Sequence, residues 1–214
     1  LRGHQSSTLP INNNMYIYPS FSGSFVFSEL LKLGDKLPYG KVRMSWAQVG
    51  SDTDPYQLGL VYTKSKFAYP GYTIGYISNG TIPNKDLKPT KTNSFEMGLE
   101  LKFLKNRIGL DFTYSSQLSK NQIMGMASSS TSGYGYRLIN AGEIENKGVE
   151  IALNTRPIQT KDFSWDLNFN FSKNSNKVKK LVDDMDMFEL EKATWLDVQV
   201  AAKVGENFGS IVGP

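Results

Sequence analysis

Ser94–Ser115, SFEMGLELKFLKNRIGLDFTYS, decides the fold. Phe95, Met97, Leu99, Leu101 and Phe103 alternate with Glu96, Gly98, Glu100 and Lys102, a period of two residues. After Leu104-Lys105-Asn106 the alternation resumes in the opposite phase, with Ile108, Leu110, Phe112 and Tyr114 apolar and Gly109, Asp111, Thr113 and Ser115 small or polar. Two such runs across a short turn make an antiparallel hairpin. Each arm is about nine to eleven residues, longer than the usual soluble strand and about the length a tilted strand needs to cross a bilayer. In a soluble β-sandwich the apolar face would point into a dry core. In a membrane barrel it would point to lipid, and the charged face to a wet lumen. The alternation alone fits both.

Composition narrows the classes. The 214 residues hold 24 Lys+Arg against 20 Asp+Glu, a net charge of +4. The charges are interspersed, and the densest basic group, Lys177, Lys179 and Lys180, is too small for a nucleic-acid stripe, so no nucleic-acid partner is expected. With no cysteine, disulfides, thiolate metal sites and a Cys nucleophile are excluded. No apolar run is long enough for a transmembrane helix. The low mean hydropathy of −0.36 does not argue against a barrel, because alternation dilutes hydropathy. The start at Leu1, with no signal segment, and the stop at Val212-Gly213-Pro214 suggest an internal piece of a longer polypeptide.

The remaining strands follow the same pattern. Ser20–Phe27 carries Phe21, Phe25 and Phe27 on one face, and Lys41–Val49 carries Val42, Met44 and Trp46. Lys147–Arg156 alternates through Val149, Ile151 and Leu153; Phe163–Lys173 alternates through Phe163, Trp165, Leu167, Phe169 and Phe171; Leu196–Val204 begins another strand. Between them the connections alternate in length. Residues 28–40, 104–106 and 157–162 are short, and 50–92, 119–147 and 174–195 are long. A sandwich has no reason to gather its long loops at one end, whereas an up-and-down outer-membrane barrel has short periplasmic turns and long extracellular loops. The fold expected is therefore all-β: an antiparallel up-and-down transmembrane β-barrel segment of about six or seven strands. Lys41–Val49, Ile108–Ser119 and Phe163–Lys173 would run outward, and Thr92–Phe103 and Lys147–Arg156 would return. The unpaired sheet edges would be completed by strands outside this chain. A soluble β-sandwich or adhesin module and a passive porin stay as alternatives.

Several motifs resemble the SusC/RagA family of TonB-linked outer-membrane transporters. Ile82–Gly98, IPNKDLKPTKTNSFEMG, is similar to that family's P-N-x-D-L-K-P-E-x-T-x-S-x-E-x-G stretch, and Leu138–Glu150, LINAGEIENKGVE, to its N-x-G-x-x-x-N-K-G-x-E. Pro19–Ser22 and Val42–Gly50 are similar to its F-P-S-x-S and L-R-x-S-W-G-x-x-G strands. The likeness runs in register from about Arg2 to Gly213, with departures at Arg2–Leu9, at Ala47 (usually Gly) and at Thr90 (usually acidic). The resemblance implies a large plugged barrel of the 22-stranded class. Residues 1–214 would form part of one TonB-dependent receptor barrel domain, with plug and TonB-contact segment elsewhere. It also implies a SusD-like surface lipoprotein partner, TonB, outer-membrane lipid around the barrel, and energised uptake of oligosaccharides or peptides across a Gram-negative outer membrane.

No enzyme chemistry is expected. His4 is the single histidine, in a polar loop, and reads as solvated. Asp183, Asp184, Asp186, Glu189 and Glu191 lack the spacing of a calcium loop, and no metal or cofactor is expected. Asn79-Gly80-Thr81 reads as a turn. Glu96, Glu100, Asp111, Glu150, Asp166 and Asn168 recur at period two on several strands; that placement fits a hydrated lumen wall better than a glycosidase pair. Tyr62, Tyr69, Tyr72, Tyr134, Tyr136 and Arg137 lie in long loops and are the substrate-binding candidates, because aromatic rings stack on sugars or peptides and present a polar rim.

Overall fold

A computed structural model describes residues 1–34, 37–55, 57–60, 62–66, 70–77, 80–182, 185–193 and 197–213. Numbered in chain order, β3 (Ser20–Val26), β4 (Tyr39–Ser51), β8 (Thr90–Phe103), β9 (Ile108–Lys120), β12 (Glu143–Gln159) and β13 (Ser164–Lys180) form one antiparallel sheet in the order β13-β12-β9-β8-β4-β3. Four smaller groups accompany it. They are β1 (Arg2–Gln5) with β2 (Met15–Tyr18); β5 (Tyr62–Lys64) with β6 (Gly75–Ile77); β7 (Thr81–Ile82), β10 (Ile123–Ala127) and β11 (Tyr136–Asn140); and β14 (Met187–Lys192), β15 (Gln199–Lys203) and β16 (Ser210–Val212).

Register converts the alternation into two faces. Phe25, Val42, Leu99, Phe112, Ile151 and Phe171 line up as one row across all six strands of the main sheet. The row beside it carries Ser24, Arg43, Gly98, Thr113, Glu150 and Ser172, on the opposite face. The apolar face stays uncovered: Phe21 is 70% exposed, Phe169 58% and Phe171 55%. A sandwich would seal these rings beneath a second sheet. Among the described residues, the sheets besides the main one are short groups of two or three strands.

The apolar band is slanted. Its upper limit lies at Phe171 on β13, one row higher at Val149 and Tyr114, and one row higher again at Phe95 and Trp46. Four residues of climb, about 13 Å, over four strand steps, about 19 Å, is a slope of about 35°. That matches the tilt of about 35–45° in transmembrane barrels, where a level membrane cuts tilted strands obliquely.

The short connections sit at one end. Leu104, Lys105 and Asn106 take positive φ (50°, 55° and 66°), and the Arg107 amide donates to the Leu104 carbonyl at 3.2 Å to close the β8–β9 turn. The β12–β13 turn is closed between Thr160 and Phe163. After β3 the chain forms a helical turn, α1 (Phe27–Leu31), so the strand expected to Phe27 ends at Val26.

Three expectations shift. β12 runs from Glu143 to Gln159, so Pro157 lies inside the strand and not in a turn. It falls in the register shift between Thr155 and Ile158, where a ladder amide is not needed. β13 continues to Lys180, seven residues past the expected end. The strand expected over Leu196–Val204 is β15, which belongs to the small β14-β15-β16 sheet and, among the described residues, pairs with the main one only in a single parallel bridge from Val204 to Val178 of β13; Leu196 itself lies outside the described residues.

Candidate functional site

The polar face of the main sheet gathers the expected wall residues. Glu100 opposes Lys41 and Asp111, Glu96 opposes Ser45 and Ser115, and Glu150 opposes Thr113 and Ser172. Asn168 opposes Asn154, and Asp166 accepts from Arg156 Nε at 2.5 Å. Glu96, Glu100, Asp111, Glu150, Asp166 and Asn168 thus share one face.

The centre of this wall is Arg43, which the sequence reading passed over. Its side chain leaves β4, crosses β8 above Gly98 and reaches β9, where Nη2 donates to Thr113 Oγ1 at 2.7 Å and to Asp111 Oδ1 at 3.2 Å. Glu96 lies 4.0 Å from Arg43 Nε. Any Cβ at Gly98 would collide with the Arg43 side chain, so glycine is the residue that leaves this path open. Neither segment marks this pair by itself; it emerges only from the register that sets an inward Arg opposite an inward Gly.

The long loops fold into a shared structure beyond the strands. β7 pairs parallel with β11, Thr81 opposite Tyr136 and Ile82 opposite Arg137, and the Gly80 carbonyl accepts from the Gly135 and Tyr136 amides at 2.7 and 3.0 Å. Asn140 clamps the loops together. Its Nδ2 donates to the Lys88 carbonyl at 2.6 Å and the Asn121 carbonyl at 3.1 Å, and its Oδ1 accepts from the Lys88 amide at 2.8 Å. Beside the clamp Leu87 and Pro89 are fully buried. The two longest motifs of the sequence therefore meet here, Lys88 from one and Asn140 from the other. Val178, Leu181, Phe188 and Ala202 form a small core, against which Met124 and Met126 of β10 and Met185 and Leu190 pack. All three long connections contribute to this structure.

Among the candidate rings, Tyr62 and Tyr72 are 70% and 72% exposed, and Tyr136 is 55% exposed with Arg137 beside it. Tyr62 opposes Ile77 on the β5–β6 ribbon, while Tyr136 joins β7 to β11, so these two rings stand in separate small sheets. Tyr134 is half-buried in the turn before β11, its amide donating to Ser132 Oγ at 3.3 Å. Tyr69, Asn79, Asp183 and Asp184 lie outside the described residues. Glu189 and Glu191 are on β14, and among the described residues no three His, Cys, Asp or Glu side chains gather as a metal site. His4 differs from the solvated reading. Its Nε2 lies 3.0 Å from Asp52 Oδ2, tying the β1–β2 ribbon to the residue after β4. Beside that pair, burial and the Asp52 charge push the Tyr18 phenol up from its ordinary value.

An open six-stranded wall, greasy outside and ionic inside, with folded loops at one end, defines a segment of a transmembrane β-barrel. The TonB dependent receptor-like β-barrel family model matches residues 4–195, and the chain belongs to that family. It is 30% identical to TonB-dependent receptor P3 of Formosa agariphila, over 97% of this chain and 21% of the relative. With TonB-dependent receptor SusC of Bacteroides thetaiotaomicron it is 31% identical, over 88% of this chain and 20% of the relative. Its fold is similar to the solved RagAB peptide importer in the closed-closed state, at TM-score 0.82 and 21% identity, over 95% of this chain and 22% of that one. The chain thus spans about a fifth of the length of the relatives it matches.

Proposed function

We propose that this chain is one part of the wall and outer vestibule of a TonB-energised importer of oligosaccharides or peptides in a Gram-negative outer membrane. Residues 1–214 belong to its barrel domain, and the plug and TonB-contact segment lie in other parts of the polypeptide. A SusD-type lipoprotein closes over the loops. The protein performs no covalent chemistry: substrate is held between loops, inner wall and lipoprotein, and is released when force from TonB remodels the plug. The observation that carries this reading is the pairing of a continuous apolar outer face with an ionic inner face beneath one structure built from all three long connections.

Within that reading, Tyr62, Tyr69, Tyr72, Tyr134, Tyr136 and Arg137 form the substrate-facing surface, and Glu96, Glu100, Asp111, Glu150, Asp166 and Asn168 the wet path below it. Exposed rings supply stacking area, and Arg137 supplies a fork for a carboxylate or for sugar hydroxyls. The name of the RagAB peptide importer favours peptides. Binding of a peptide mixture and of maltooligosaccharides to the complete barrel with its lipoprotein, measured by calorimetry, tests the assignment. Replacing Tyr136 and Arg137 with Ala is expected to weaken binding at least about tenfold, the scale of an interface anchor. Unchanged affinity for every ligand bound by the wild type would overturn it.

A further inference from the structure

On the outer face of β12 and β13 the apolar band stops at Val149 and Phe171, and the next outward residue on each strand is a lysine, Lys147 and Lys173. Lys177 follows on the same face of β13, opposite Glu145, and Lys179 also reaches Glu145 at the register shift. Glu145 lies 2.9 Å from Lys147 Nζ and 3.7 Å from Lys179 Nζ. Among the described residues, Lys173 and Lys177 have no ion-pair partner, and both are exposed. Two ammonium groups therefore pair with one carboxylate, and two more on the same face of β13 are uncompensated.

Toward β9 the cluster thins out. On the neighbouring strands the first outward residues above the band are Ser116, Asn93 and Gln48, all neutral, and Gln48 Nε2 donates to Asn93 Oδ1 at 2.8 Å; the outward lysines Lys120 and Lys91 lie higher, Lys120 paired with Glu143 at 3.2 Å. Within the main sheet only β12 and β13 place lysines directly above the band. Here they occupy the corner where hydrocarbon gives way to headgroups, where a lysine stem can lie on the apolar face with its ammonium in the polar layer.

We propose that Lys147, Lys173, Lys177 and Lys179 dock the phosphate of a phosphorylated lipid from the leaflet on the long-loop side. Lys173 and Lys177 are the direct ligands, and Glu145 holds Lys147 and Lys179 in place at the flank. The site rests on the outward face contacting lipid, as in the function proposed above. A lysine beside an anionic headgroup is worth about fivefold in affinity, so losing Lys173 and Lys177 is expected to cost about thirtyfold.

The complete barrel, reconstituted in phosphatidylcholine nanodiscs carrying a small fraction of phosphatidic acid, tests this by native mass spectrometry of the lipids that stay bound. Wild type and a Lys102→Gln control on the inner face are expected to retain phosphatidic acid preferentially, and Lys173→Gln/Lys177→Gln to lose that preference. Equal retention by the double variant would overturn the site. So would displacement of the lipid by millimolar inorganic phosphate, or dimers that form through this corner in the wild type and vanish in the double variant. If every variant enters nanodiscs but none selects phosphatidic acid, the lysine site alone fails; if the complete barrel does not enter nanodiscs, the barrel reading fails with it.

Discussion

Leu99 sits at the middle of the apolar run of β8, four residues from Phe95 at one end and four from Phe103 at the other. With about 3.3 Å per residue and a tilt of about 35°, it lies roughly 11 Å from either edge of the hydrocarbon band. Its outward row neighbours are Val42 and Phe112, so no polar side chain on an adjacent strand can receive a charge placed there. Leu99→Arg is therefore expected to cost about 2–4 kcal/mol, while Phe95→Arg at the rim costs about 0–1 kcal/mol because the guanidinium reaches the interface. Glu100→Arg, one residue away on the wet face, places a cation near Lys41 but stays hydrated, and is expected to cost less than about 1 kcal/mol. The assay is reversible urea unfolding of the complete barrel in phosphatidylcholine vesicles, followed by tryptophan fluorescence. Arginine at 95, 97, 99, 101 and 103 in turn should trace a cost profile that peaks at 99. A flat profile, or equal costs at Leu99 and Glu100, would refute the orientation of the sheet.

Two further substitutions probe the inner wall and the loops. Gly98→Ala is expected to push Arg43 off Asp111 and Thr113 and to cost about 1 kcal/mol, as for a half-exposed ion pair with its hydrogen bonds, whereas in an Arg43→Gln background it should be nearly neutral; a cost that persists without Arg43 would assign the glycine another role. Asn140→Ala removes both partners of the Lys88 backbone and is expected to loosen the loops by about 1–3 kcal/mol, seen as faster hydrogen exchange at Lys88 and over β11 with the main sheet unaffected. Asn140→Asp should not rescue it, because a carboxylate cannot donate to the Lys88 and Asn121 carbonyls.

The main sheet was legible wherever its two faces meet different solvents. Between Phe95 and Phe171 one face must be apolar and the other need not be, so the period of two survives in the sequence. Above the band both faces are wet, and the constraint disappears. The run Asn174-Ser175-Asn176-Lys177 is polar throughout, so it reads as loop although it is strand. Pro157 reads as a turn because a ladder proline is disallowed, and a bulge relieved that restriction locally. The loop sheets escaped because β5, β6 and β7 have two or three residues each, too few to show periodicity. The inner-wall acids were legible from alternation alone. Arg43 over Gly98 and His4 with Asp52 were not, since both are long-range pairs whose members look ordinary in their own segments.

The central claim is that the rings and aliphatic chains of one face touch hydrocarbon while the other face meets water. This chain holds no cysteine, so in a complete barrel whose other cysteines are replaced by serine a direct measurement is open. Single cysteines at positions 44, 99, 112, 153 and 169, and at 96, 100, 150 and 168, would each carry an environment-sensitive fluorophore in the complete barrel, reconstituted in vesicles of brominated lipid. The first set should be strongly quenched by bromine, and the second should be quenched by aqueous iodide and spared by bromine. Equal quenching of the two sets, or bromine quenching confined to the second, would contradict it.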